Sequence, residues 1–126
     1  MPTTSKHLLI LIAGPYRSGT GDDPQKMAAN LRYLEAASWP IFQAGHIPMI
    51  GEWVALPVWQ LAGGKAIGDA LYDEVLPPTA ARLIEHCDAI LRLPGESKGA
   101  DGDVRLAKAR GIPVYFDLAE IPIYQV

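Results

Sequence analysis

The chain is short of cysteine, of clustered basic residues and of long apolar runs, and each shortage removes a class of protein. Its 126 residues hold one cysteine, Cys87, within an apolar helical pattern, which argues against a disulfide framework and a thiolate metal site. Eleven Lys and Arg against fourteen Asp and Glu give a formal net charge of −3, and the pI is near 5.5. The basic residues are scattered, so no nucleic-acid-coating surface is expected. The first apolar run, Leu8 to Ala13, is too short for a signal-peptide core with a cleavage site, and no run reaches transmembrane length. The expectation is a cytoplasmic protein with no membrane partner. Motifs are missing as well. Neither G-x-x-x-x-G-K-[ST] nor G-x-G-x-x-G occurs, no His/Asp/Glu group has metal-ligand spacing, and Ser97 lacks a nucleophile-elbow context. A P-loop, a dinucleotide fingerprint, a metal centre and a hydrolase triad are therefore unsupported, and no cofactor is expected.

What is present is an alternation of strand and helix signals with no repeat, low-complexity tract or linker, which predicts one domain over 1–126. Leu8 to Ala13 is continuously apolar and ends in Gly14-Pro15, the pattern of a central parallel strand buried on both faces. Asp22-Asp23-Pro24 supplies a helix start, and Met27, Leu31, Leu34, Ser38 and Ile41 follow at helical spacing. Pro40 predicts a kink or break close to Trp39. Gly45 ends that helix, and His46 to Ile50 reads as a second strand, placed at a sheet edge by Pro48. Residues 51–75 show no clear period and are expected to be largely irregular, with a short helix through Tyr72; such a segment suits a lid or an interface. A helix started by Pro77-Pro78 runs to His86, a third strand spans Asp88 to Leu93, a helix Val104 to Arg110, and a fourth strand Ile112 to Phe116. A turn of helix at Leu118 to Glu120 follows. The fold that fits is a small three-layer α/β sandwich, Rossmann/flavodoxin-like, with a parallel sheet of four or five strands.

Ligands of such sheets bind at the C-terminal strand ends. The loop Gly14-Pro15-Tyr16-Arg17-Ser18 follows the first strand; glycine permits close backbone approach, and Arg17 offers a fork for phosphate or carboxylate. A second loop starts at Gly51. The third, Pro94 to Asp103, is rich in glycine and carries Glu96, Asp101 and Asp103, more acids than a phosphate cradle would hold. Asp101 and Asp103 also suit a cap for the helix that follows, so the capping and functional readings both stand. Tyr16 suits packing or base stacking, and Trp53 and Trp59 suit a core, an interface or a lid over a base. His7 reads as a strand-edge residue, and His46 and His86 as structural.

Several blocks together carry a family likeness: Ala13-Gly14-Pro15-Tyr16, Asn30, Gly45-His46-Ile47-Pro48, Cys87 to Gly95, Ser97-Lys98-Gly99-Ala100 and Gly111 to Tyr115. With them the chain resembles the nucleoside 2-deoxyribosyltransferase-like superfamily, and within it a bacterial branch. The match spans nearly the whole chain, with 51–75 fitting worst. The resemblance implies chemistry at an N-glycosidic bond, in which a glutamate after the third strand attacks the anomeric carbon and forms a glycosyl ester. Asp103 falls at that position and is one methylene shorter. Ala80 and Ala81 occupy the region where a second acid is expected. The implied ligand is a nucleoside or nucleotide-like compound, held by Gly14, Pro15, Tyr16, Arg17 and Ser18 on one side and by Gly95, Glu96, Ser97, Gly99 and Asp101 on the other. Tyr16 or Trp53 would face the base. A homo-oligomer is also implied, in keeping with the apolar 53–62 segment.

Two further readings belong to other classes: a non-catalytic nucleotide-sensing module, and an oligomeric scaffold. An enzyme requires Asp103 to point into a pocket with Tyr16 and Arg17, free of capping. A sensing module has the same pocket, with Asp103 turned away or paired with Arg17 or Lys98. A scaffold requires no sizeable pocket at the strand ends.

Overall fold

The computed structural model describes residues 2–126. In chain order the elements are β1 (Thr3–Thr4), β2 (Leu9–Ala13), α1 (Pro24–Glu35), α2 (Ser38–Gln43), β3 (Ile47–Met49), α3 (Gly51–Leu61), α4 (Ala70–Ile84), β4 (Ala89–Arg92), α5 (Lys98–Ala109), β5 (Val114–Tyr115), a 3-10 turn at Leu118–Glu120 and β6 (Ile123–Tyr124). Strands β3-β2-β4-β5 form a four-stranded sheet in that spatial order, every pair parallel, while β1 and β6 pair separately. Leu11 stands opposite Met49 on one side and Ile90 on the other.

Successive strand side chains point to opposite faces, and here both faces are covered. Ile10, Ile12, Ala89 and Leu91 meet Leu34, Ala37, Ile41 and Ile50 on one side. Leu11, Ala13 and Ile90 meet Ile84, Cys87, Ala100 and Ala107 on the other. That double burial explains why β2 is apolar at every position rather than alternating, and each fully buried Ile or Leu contributes about 1.5–3 kcal/mol. The result is the three-layer α/β sandwich read from the sequence, with Pro48 on the edge strand. His46 joins three segments without chemistry of its own: its Nδ1 accepts from the Leu8 N–H at 2.9 Å and its Nε2 donates to the Pro122 carbonyl at 2.6 Å.

As Pro40 led one to expect, the first helix breaks close to Trp39, at Ala36-Ala37, and Pro40 is accommodated in the first turn of α2, where no backbone donor is required. Three local expectations need correction. Residues 51–61 form α3, with Ala55 and Trp59 buried one turn apart. The bond that Pro57 cannot donate belongs to the Trp53 carbonyl, and both residues lie on the exposed face. Pro77 and Pro78 do not start a helix; α4 runs through them from its Asp69 cap. The carbonyls left without donors are those of Asp73 and Glu74, exposed residues that water reaches. Finally, α5 begins at Lys98 rather than Val104, so most of the glycine-rich loop is the first part of that helix. Among the described residues no helix is long and apolar enough to cross a membrane.

Candidate functional site

The strand order sends the chain from β2 outward to β3, then back across β2 to β4 and on to β5. Between the C-terminal ends of β2 and β4 the connections diverge, the place where open α/β sheets leave a crevice. A cavity of about 800 Å³ lies there. Its floor is Ile12, Ala13 and Gly14, and its walls come from the Tyr16–Ser18 loop, the start of α3, the first half of α4 and the start of α5.

Each wall is positioned by a traceable local cause. The Tyr16 carbonyl accepts from the Asn30 amide at 2.8 Å, which ties the first loop to α1. Arg17 donates to both carboxylate oxygens of Asp22, at 2.7 and 3.2 Å, and its guanidinium carbon sits 5.4 Å from the Tyr72 ring centre. Ser97, itself buried, caps α5 by accepting from the Ala100 N–H at 3.1 Å. Neither Asp101 nor Asp103 is that cap. Asp101 instead accepts from Arg92 at 2.9 Å, and Arg92 also donates to the Gly95 carbonyl, so the pair braces the turn after β4.

Asp103 is half-buried and lines the cavity on the same face of α5 as Gly99 and Leu106, one turn to either side. No ion pair among the described residues includes it. Burial pushes its carboxyl up to about 7, the charge of Glu52 adds to the rise, and Arg92 opposes it. Glu52, at the start of α3, lines the same cavity, and burial also raises its proton affinity, against a pull downward from its own backbone N–H. Glu52 likewise raises the Tyr16 phenol, after burial, and the Tyr72 phenol, which burial first and Glu52 second push up to about 12. Glu52 is therefore the charge felt throughout the cavity.

Of the residues singled out from the sequence, Gly14, Tyr16, Arg17, Ser18, Ser97, Gly99 and Asp103 are brought together here. Pro15, Trp53, Gly95, Glu96 and Asp101 are not. Pro15 packs against Gly95, where a Cβ would stand 2.8 Å from the proline ring. Glu96 is exposed, and Trp53 faces outward on α3, donating its indole N–H to Glu35 at 2.8 Å. The structure adds Glu52, Tyr72 and Asp73. Glu52 directly follows Gly51, the first residue of α3, and no motif in the sequence marked it. Asp73 supplies an acid from α4 about two turns before Ala80, the region first considered for one. Among the described residues no group of three His, Cys, Asp or Glu is arranged to hold a metal.

Compared with known proteins, the chain matches no family model, no curated protein and no solved structure. Its geometry has to carry the chemistry. Two carboxyl groups whose proton affinity is raised, chiefly by burial, face one largely apolar cavity.

Proposed function

We propose that the protein binds a nucleoside, nucleotide or related ribosyl compound in this cavity and cleaves or transfers its N-glycosidic bond, with Asp103 as nucleophile and Glu52 as proton donor. The observation that carries the reading is the pairing of these carboxyls at the switch point beside Tyr16 and Tyr72. The resemblance of the chain to the nucleoside 2-deoxyribosyltransferase-like superfamily supports it, since Asp103 stands where that superfamily places its attacking carboxylate.

The chemistry follows from the charges. An oxygen of ionised Asp103 attacks the anomeric carbon as the carbon–nitrogen bond breaks, and its electron pair leaves on the base. The charge of Glu52 raises the proton affinity of Asp103, so the two acids hold one proton between them near neutral pH; in the reactive form that proton sits on Glu52, which gives it to the departing base. Ionised Glu52 then takes a proton from water, whose oxygen attacks the anomeric carbon and frees the sugar and the Asp103 carboxylate. A second base in place of water gives transfer. The phenol ring of Tyr16 is the surface against which a base would lie.

The test is base release, detected by chromatography, from a panel of nucleosides and their 5′-monophosphates under single-turnover conditions. Release by the wild type that disappears in Asp103→Ala is the expected result. A panel from which nothing is released or bound by the folded protein overturns the proposal, and binding without release replaces it with a sensing module.

A further inference from the structure

Arg17 reaches the cavity through a construction that the chemistry above does not use. Two of its five N–H donors are taken by Asp22, and the rest of the guanidinium lies between the Tyr72 ring and the backbone of Gly68. Gly68 has φ +84°, and a Cβ there would stand 2.2 Å from a terminal nitrogen of Arg17, so the guanidinium lies directly against its backbone. Gly64 plays the same part for the indole of Trp59, whose Nε1 would be 2.1 Å from a Cβ there. The Trp59 indole and the segment that carries Gly68 meet at one carboxylate. Asp69 accepts from the Trp59 indole at 3.0 Å, from the Lys65 and Ala66 N–H groups at 3.1 and 3.3 Å, and from the Tyr72 N–H at 2.8 Å. The Trp59 ring meets Tyr72 edge-on, with centroids 6.0 Å apart.

We infer that Asp69 is a positioning residue for the Arg17 side of the cavity, fixing at once the 62–69 segment and the Tyr72 ring between which the guanidinium is held. The inference rests on the reading of this cavity as the ligand site. Asp69 does not touch the cavity; it acts through Tyr72 and Gly68. Its own carboxyl is held down to about 2, by the Trp59 indole first and the backbone donors after it, so the clamp stays charged across the neutral range.

The test is the rate at which phenylglyoxal modifies Arg17, read by peptide mass spectrometry against exposed Arg110 at the end of α5 in the same sample. Asp69→Ala raises the Arg17 to Arg110 ratio by about two- to fivefold, the factor corresponding to loss of an exposed cation–π contact. Trp59→Phe removes only the indole donor to Asp69 and raises the ratio in the same direction by a smaller factor, which keeps the test decisive if the first variant folds poorly. An unchanged ratio in folded variants overturns the inference. So does an equal rise at Arg17, Arg92 and Arg105, which is what general loosening of the helix cap produces. These rates report the clamp whether or not a nucleoside is turned over, so failure here is distinct from failure of the functional reading.

Discussion

Replacing Asp103 with asparagine should stabilise the protein, and only at high pH. Asparagine keeps the size of the side chain and removes its charge. The fold holds the Asp103 carboxyl at about 7 against an ordinary 3.8, chiefly through burial and then through Glu52. A group whose folded-state proton affinity is raised contributes full stability below its unfolded value and loses it as pH rises through the folded value. The full difference corresponds to roughly 4 kcal/mol, and partial contact with water reduces it to about 2–4 kcal/mol. The wild type therefore forfeits that much between about pH 4 and pH 8, while Asp103→Asn does not. Urea unfolding of both proteins across this range supplies the assay, read as the difference in unfolding free energy. The difference should be near zero at the acid end, rise through the window from 3.8 to about 7, and level off above it. A flat difference, or a variant less stable than the wild type at about pH 8, would refute the claim that Asp103 is a half-buried, unpaired carboxyl.

Three other outcomes follow from the same contacts. Glu52→Gln removes the second cause of the Asp103 shift, so the Asp103 carboxyl titration followed by carbon-13 NMR should move below about 7 yet stay above 3.8; no movement would break the electrostatic link between the two acids. Ser97→Ala deletes the α5 cap and should cost about 1 kcal/mol in denaturant unfolding, whereas a neutral result would return capping to Asp101 or Asp103. Burial, then Asp88 and Asp103, push the Cys87 thiol up to about 11, so thiol reagents at neutral pH should label it far more slowly in the native protein than in urea; equal rates would contradict its placement under α5.

The sheet was legible because double burial writes itself plainly into residue type. Leu9 to Ala13 has no polar member, and Pro48 marked the edge strand. Asp23-Pro24 announced α1, and Asp117 and Glu120 close a capping box on the short turn before β6. The helices around the cavity were harder. The outer face of α3 carries Val54, Val58 and Leu61, all exposed, so apolar residues surround the helix and its period disappears. Prolines at 57, 77 and 78 mimic boundaries, yet each deprives only an exposed turn of a hydrogen bond. Glycines 99 and 102 hid the true start of α5, which Ser97 secures. Asp103 was recognisable from its neighbours in the chain. Glu52 was not, because its importance comes from standing across a cavity from Asp103, a relation that exists only once α3 is folded beside β2.

The most direct measurement is the mass of the protein in a rapidly quenched reaction with a nucleoside whose base it releases, followed by peptide mapping. The account predicts a transient added sugar on the peptide containing Asp103, present in the wild type and in Glu52→Gln and absent in Asp103→Asn. Base release that proceeds with no sugar on that peptide and survives in Asp103→Asn would contradict it.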